Sequence, residues 1–276
     1  MNNSFDEILE AIEKSEKIAI SGHVSPDGDA VASCCSMAMA LIKKGKKAVV
    51  YLEEVPEKFR SVPYSDRVLV SEPEEDYDLF ISLDCGDAER LGRYSKFIKK
   101  MYTVNIDHHI SNTYFGGLNF VDGNASSTCE IIYRLIDGWC AMDKNIAQAL
   151  HTGIIFDTGC FKHSCTSPYT MKIAGELMTY NIPFTSIQEE LFYSHTFVEA
   201  KILGAAIKNM RMECDGRLAV SKLSSAEMKT AGGTSKDADA VVSYIKNTEG
   251  ADAAVFFYEK SDGEIKASMR SNEAVN

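Results

Sequence analysis

The chain has 276 residues, of which 45% are hydrophobic and 25% charged, and a formal net charge of −11 at pH 7. Such a composition suits a globular protein long enough for two cores, and the acidic balance argues against a broad basic groove that tracks long nucleic acid. No apolar run approaches the roughly 20 residues of a membrane-spanning helix. The polar N-terminus, Met1 to Glu7, lacks a basic-then-apolar leader, so a cytoplasmic location without membrane attachment is expected.

In chain order, Lys17–Ser21 reads as a short buried strand that runs into His23-Val24-Ser25-Pro26-Asp27-Gly28-Asp29. Ala30–Lys44, rich in Ala, Met and Leu, has helical composition and stops at Gly45. Lys47–Leu52 is a second strand and Arg67–Val70 a short third. Leu79–Leu83 is a strand ending at Asp84, and Tyr102–Ile106 another ending at Asp107. Ser126–Ile136 and Lys144–Phe156 read as helices, the latter leading to Asp157. This alternation predicts an α/β fold, a mostly parallel sheet with helices on both faces. Pro168–Tyr180 is a further helix, and a connecting helix pair follows from Phe184 to Gly204. Strands at Arg217–Ser221, Ala251–Tyr258 and Glu264–Met269, a helix at Lys236–Lys246 and a hairpin turn at Lys260-Ser261-Asp262-Gly263 then describe a smaller α+β domain. The expected division is 1–183, a helical linker at 184–204, and 205–276.

Four stretches carry acids and histidines that packing does not call for. In His23-x3-Asp27-x-Asp29, Pro26 and Gly28 make a tight strand-to-helix turn that lets three donors converge. An N-cap needs only one of these aspartates and has no use for the histidine. Asp84, taken alone, reads as a turn residue before Gly86. Asp107-His108-His109 follows a buried strand, where strand alternation points consecutive histidines to opposite sides, one toward a metal and one toward substrate. Asp157 ends a helix, an unfavourable place for an anion unless a cation is near. Three of these groups follow strands at their carboxyl ends, where open α/β sheets bind ligands. Carboxylates and imidazoles so gathered suit two divalent cations and hence phosphoester hydrolysis. His151, His163 and His195 lack such context and read as core-edge or surface residues. The eight cysteines form no CxxC pair, and most read as small core residues rather than zinc ligands.

Together, the motifs at 23–29, Asp84, 107–109 and 153–159 resemble the DHH phosphoesterase superfamily, and within it the NrnA-type nanoRNases that also hydrolyse 3′-phosphoadenosine 5′-phosphate. The resemblance implies two Mn²⁺ ions, with Co²⁺, Fe²⁺ or Mg²⁺ as alternatives. His23 and Asp27 would hold one, Asp29, His108 and Asp157 the other, and Asp84 would bridge them. It further implies that Asp107 orients the site and that His109 faces the scissile phosphate as charge stabiliser or general acid. Ser268-Met269-Arg270-Ser271 is similar to the substrate strand of the DHHA1 module, so Arg270 and Ser271 would bind a phosphate. The family's glycine-rich GGGH segment does not follow, so a truncated DHHA1-like domain is expected. Expected substrates are short oligoribonucleotides, linear dinucleotides such as pApA, or the bisphosphate nucleotide, and not long duplexes. A homodimer is left open. The competing readings are a pyrophosphatase or polyphosphatase of the same superfamily, and a catalytically impaired nucleotide-binding scaffold.

Overall fold

A computed structural model describes residues 1–72, 76–238, 240–260 and 263–272. The chain divides into two compact units, Met1–Tyr193 and Ser194–Asn276.

The first unit contains α1 (Phe5–Glu13), β1 (Lys17–Ser21), α2 (Gly28–Lys43), β2 (Lys47–Tyr51), β3 (Leu79–Leu83), α3 (Lys96–Lys100) and β4 (Tyr102–Asp107). It continues with β5 (Leu118–Val121), α4 (Thr128–Ile136), α5 (Lys144–Asp157), α6 (Pro168–Met178) and α7 (Phe184–Gln188). The five strands form a wholly parallel sheet in the order β2-β1-β3-β4-β5. Every residue of β3 is buried, as a strand covered on both faces requires. Ile18, Ile20, Leu79, Ile81 and Leu83 enter the larger core, which also holds the apolar residues of α2, α4 and α5. Ala19 and Phe80 enter a second, aromatic cluster with Tyr51, Tyr77, Tyr94 and Phe97. The strand order reverses direction between β1 and β3, and at such a point the flanking loops leave a crevice beyond the strand ends.

The second unit contains α8 (Phe197–Lys208), β6 (Arg211–Glu213), β7 (Leu218–Leu223), α9 (Ser225–Ala231), α10 (Val241–Lys246), β8 (Ala253–Glu259) and β9 (Ile265–Ser271). Its sheet runs β6-β7-β8-β9, with β7 and β8 parallel and both outer pairs antiparallel. Alternate residues of β7 and β8 are buried, among them Ala219, Leu223, Phe256 and Tyr258, against Ile202 of α8 and Val242 and Ile245 of α10. That is the pattern of a sheet packed on one face only.

The α/β expectation holds, with local corrections. Arg67–Val70 forms no strand: Ser65–Arg67 is a 3₁₀ turn, and Leu69 makes a single bridge to Tyr51. Too few apolar residues follow to extend it, and Leu69 and Val70 stay exposed. The helix expected over Lys236–Lys246 is regular only from Val241, after a 3₁₀ turn at Ser235–Ala238. At the hairpin signal, Gly263 has φ +85° and the Lys260 amide donates to the Glu264 carbonyl at 2.7 Å, while Ser261 and Asp262 lie outside the described residues. No helix among the described residues is long and apolar enough to cross a membrane.

Candidate metal centre

The acidic and histidine motifs meet at the carboxyl edge of the parallel sheet. His23 stands two residues beyond β1, Asp84 directly after β3, and Asp107 is the last residue of β4. Because β1, β3 and β4 are adjacent, their ends deliver these side chains to one crevice. Helices bring the rest. Asp27 caps α2, its Oδ1 accepting from the Asp29 and Ala30 amides at 3.0 and 3.1 Å. Gly28 has no Cβ, so the ring of Phe156 lies against the start of α2 and draws the end of α5, with Asp157, toward the same place. Gly153, a turn earlier on α5, permits a similar close approach, since a Cβ there would collide with Cys129 and the Asp29 carboxylate.

Donor atoms of His23, Asp27 and Asp84 lie within 4.8 Å of one another, and so do those of Asp29, His108 and Asp157. A third such group joins Asp84 to His108 and His109. Asp84 faces two ways. Its Oδ2 is 3.6 Å from His23 Nε2, and its Oδ1 is 3.5 Å from His108 Nε2 and 3.6 Å from His109 Nδ1. The residue holds a left-handed backbone, φ +53°, a conformation that aspartate tolerates better than most side chains. His108 Nε2 reaches Asp157 Oδ2 at 3.1 Å. His23 Nδ1 donates to the Val24 carbonyl at 2.8 Å, which leaves Nε2 toward the carboxylates.

Strand alternation would send His108 and His109 apart, but β4 ends at Asp107, and both rings approach the same Asp84 oxygen with centroids 4.6 Å apart. Asp107 is fully buried. Its Oδ1 accepts from His109 Nδ1 at 2.7 Å and from the His108 amide at 2.9 Å, and its Oδ2 accepts from Asn112 Nδ2 at 2.6 Å. His163 Nδ1 donates to the Asp157 carbonyl at 3.0 Å, while His151 is fully buried and His195 exposed. Arg270 and Ser271 are exposed on β9 of the second unit, and Arg270 Nη1 donates to the Met269 carbonyl at 2.9 Å.

Two contributors have no counterpart in the sequence motifs. Thr128, the first residue of α4, donates through Oγ1 to Asp84 Oδ1 at 3.1 Å and through its amide to Asp29 Oδ2 at 2.6 Å. Asn112 ties Asp107 to the Cys85 carbonyl at 3.2 Å and accepts from Asn105 Nδ2 at 3.1 Å. Ser126-Ser127-Thr128 reads from sequence as a helix start, and Asn112 as a residue of a polar turn. Hydroxyl and amide side chains are common in both settings.

The electrostatics show a shortage of positive charge. Burial, with Asp84 and Asp157 close by, holds the Asp29 carboxyl well above the ordinary range, and burial and Asp84 raise Asp157. Burial opposes charge on His23, yet its bonds to Asp27 and Asp84 push it up to about 10. His108 is likewise pushed up to about 10 against burial, by Asp157, Asp29 and Asp84. Among the described residues, the ion-pair partners of Asp27, Asp84 and Asp157 are histidines, with no lysine or arginine. Oxygen and imidazole donors in such a cluster suit borderline divalent cations.

Residues 17–154 match the model of the DHH family, N-terminal domain. The chain is 30% identical to the bifunctional oligoribonuclease and PAP phosphatase NrnA of Thermus thermophilus, over 98% of this chain and 80% of that one. It is 32% identical to the protein of the same name from Bacillus subtilis, over 98% and 86%. An exopolyphosphatase-related protein from Bacteroides fragilis shares the fold at a TM-score of 0.89 and 24% identity, covering 97% of this chain and 83% of that one. The family model spans both strands and helices that build the crevice, and the likeness to the two NrnA proteins runs on through the second unit: the chain belongs to the DHH family of phosphoesterases.

Proposed function

We propose that the chain is a metal-dependent phosphoesterase that hydrolyses short oligoribonucleotides and linear dinucleotides such as pApA, together with 3′-phosphoadenosine 5′-phosphate. The observation that carries this reading is the pair of histidine–carboxylate groups, His23–Asp27–Asp84 and Asp29–His108–Asp157, with the two oxygens of Asp84 turned one to each. Oligoribonuclease and PAP phosphatase activities stand in the names of the Thermus and Bacillus relatives, which supports this substrate class.

In this reading His23 and Asp27 would hold one Mn²⁺ and Asp29, His108 and Asp157 a second, with Asp84 offering an oxygen toward each group. Bound there, the ions would supply Lewis acidity and a nucleophile at neutral pH. The remaining work falls to side chains. His109 is about one-third exposed, and the buried Asp107 fixes its ring by accepting the Nδ1 proton. That bond raises the affinity of His109 for a second proton. Protonated at Nε2, His109 would hand that proton to the departing alkoxide oxygen. Asn112 keeps Asp107 in place from the other side. Arg270 offers the guanidinium fork suited to a substrate phosphate, with Ser271 beside it. All eight cysteines are free thiols, which agrees with a cytoplasmic setting.

The test is an assay with added Mn²⁺ on a diadenosine dinucleotide, pApA and the bisphosphate nucleotide, with pyrophosphate alongside. Release of mononucleotide from the first three and little turnover of pyrophosphate is the expected result. Efficient pyrophosphate cleavage with inert dinucleotides would overturn the substrate assignment.

A further inference from the structure

The first turn of α4 grips carboxylates from both donor groups. The Thr128 and Cys129 amides donate to Asp29 Oδ2 and Oδ1 at 2.6 and 3.0 Å, and the Thr128 hydroxyl donates to Asp84 Oδ1 at 3.1 Å. The hydroxyl is not needed as a cap, because Ser127 already fills that role by accepting from the Glu130 amide at 3.1 Å. Nor is the turn free to shift. Glu130 Oε2 accepts from Ser126 Oγ at 2.6 Å and from Thr170 Oγ1 of α6 at 2.7 Å, so the start of α4 is pinned to a neighbouring helix. Thr128 is itself fully buried.

We infer that Thr128 is a positioning residue that fixes the rotation of the Asp84 carboxylate. The Asp84 side chain has one soft terminal torsion, broad and roughly two-fold. A partial turn about it would swing both oxygens out of line with the histidines they face. The Thr128 hydroxyl, held by a rigid helix start, binds one oxygen and so fixes the carboxylate plane with that oxygen toward His108 and His109 and the other toward His23. Partners of this kind orient a ligand and commonly change metal affinity by roughly 10- to 100-fold when removed. The inference rests on the metal reading given above and adds a residue that none of the four motifs contains.

The test compares the full-length chain with Thr128→Val, which keeps the shape and removes the hydroxyl, and Thr128→Ser, which restores it. Isothermal titration with Mn²⁺ alone is the main readout, with the melting temperature of the metal-free protein beside it. Thr128→Val should weaken Mn²⁺ binding about tenfold, and Thr128→Ser should bind as the unaltered chain does. A fall in metal-free melting temperature with unchanged Mn²⁺ affinity would make Thr128 merely structural and overturn the inference. So would a serine variant as weak as the valine one. If Thr128→Val does not fold, Thr128→Ala takes its place under the same criteria. An unaltered chain that binds no Mn²⁺ would instead overturn the metal reading, and this inference with it.

Discussion

His151 and His108 are both well-covered imidazoles of the first unit, and their proton affinities diverge widely. His151, inside α5, packs edge-on against Phe184 at 5.4 Å, and neither ring nitrogen has a hydrogen-bond partner. Burial there pushes it down to about 4. His108 meets the same kind of desolvation cost yet stands at about 10, because Asp157, Asp29 and Asp84 surround it. Burial alone therefore cannot explain the site. The carboxylates there outweigh desolvation, and the protons on His23 and His108 fill a place that a cation would otherwise occupy.

The comparison can be broken most forcefully at Asp84, whose two oxygens face a histidine of each donor group. Asp84→Asn should lower Mn²⁺-dependent hydrolysis of pApA roughly a thousandfold, the equivalent of about 4 kcal/mol. Turnover within about tenfold of the unaltered chain would remove Asp84 from the centre. The opposite pole is sharpened by His151→Leu. Its folded-state pKa is depressed below the ordinary value of 6.5, so the unfolded chain takes up a proton first as pH falls. Stability due to this residue is thus complete above about pH 6.5 and is lost progressively down to about pH 4, by up to about 3 kcal/mol. Urea unfolding at several pH values should show a flatter acid limb in the leucine variant. Asn112→Ala leaves the buried Asp107 oxygen and the Cys85 carbonyl without their donor, and should cost about 2 kcal/mol in the same measurement. Asp27→Ala removes the cap of α2 and should cost the metal-free fold only about 1 kcal/mol, while weakening Mn²⁺ binding measured by calorimetry.

The sequence was most legible where one physical demand dominated. Lys17–Ser21 is an apolar run with polar ends and Leu79–Leu83 one flanked by Asp78 and Asp84, and both strands carry the same limits in the structure. The Asp-His-His run stands out because histidine is scarce in this chain, with six in all. Weak or shared signals were lost. β5 is four residues long and half-buried by alternation, and β6 is three exposed residues. Helix α1 did leave a trace, the capping box Ser4-x-x-Glu7 and the apolar residues Phe5, Ile8, Leu9 and Ile12 at helical spacing. Thr128 and Asn112 could not be recognised, because their value comes from partners 44 and 5 residues away, and each type is ordinary where it stands.

The left-handed backbone at Asp84 carries a consequence for how such a protein drifts. Side chains branched at Cβ are excluded from that corner by sterics, whatever their charge. Glycine and asparagine enter most easily, and each preserves the chain's path while discarding its negative oxygen. On the proposed reading, genetic decay at this codon is thereby channelled toward descendants that would still fold without hydrolysing substrate. Inert paralogues of this architecture should therefore be sought by one substitution at a single corner rather than by general erosion.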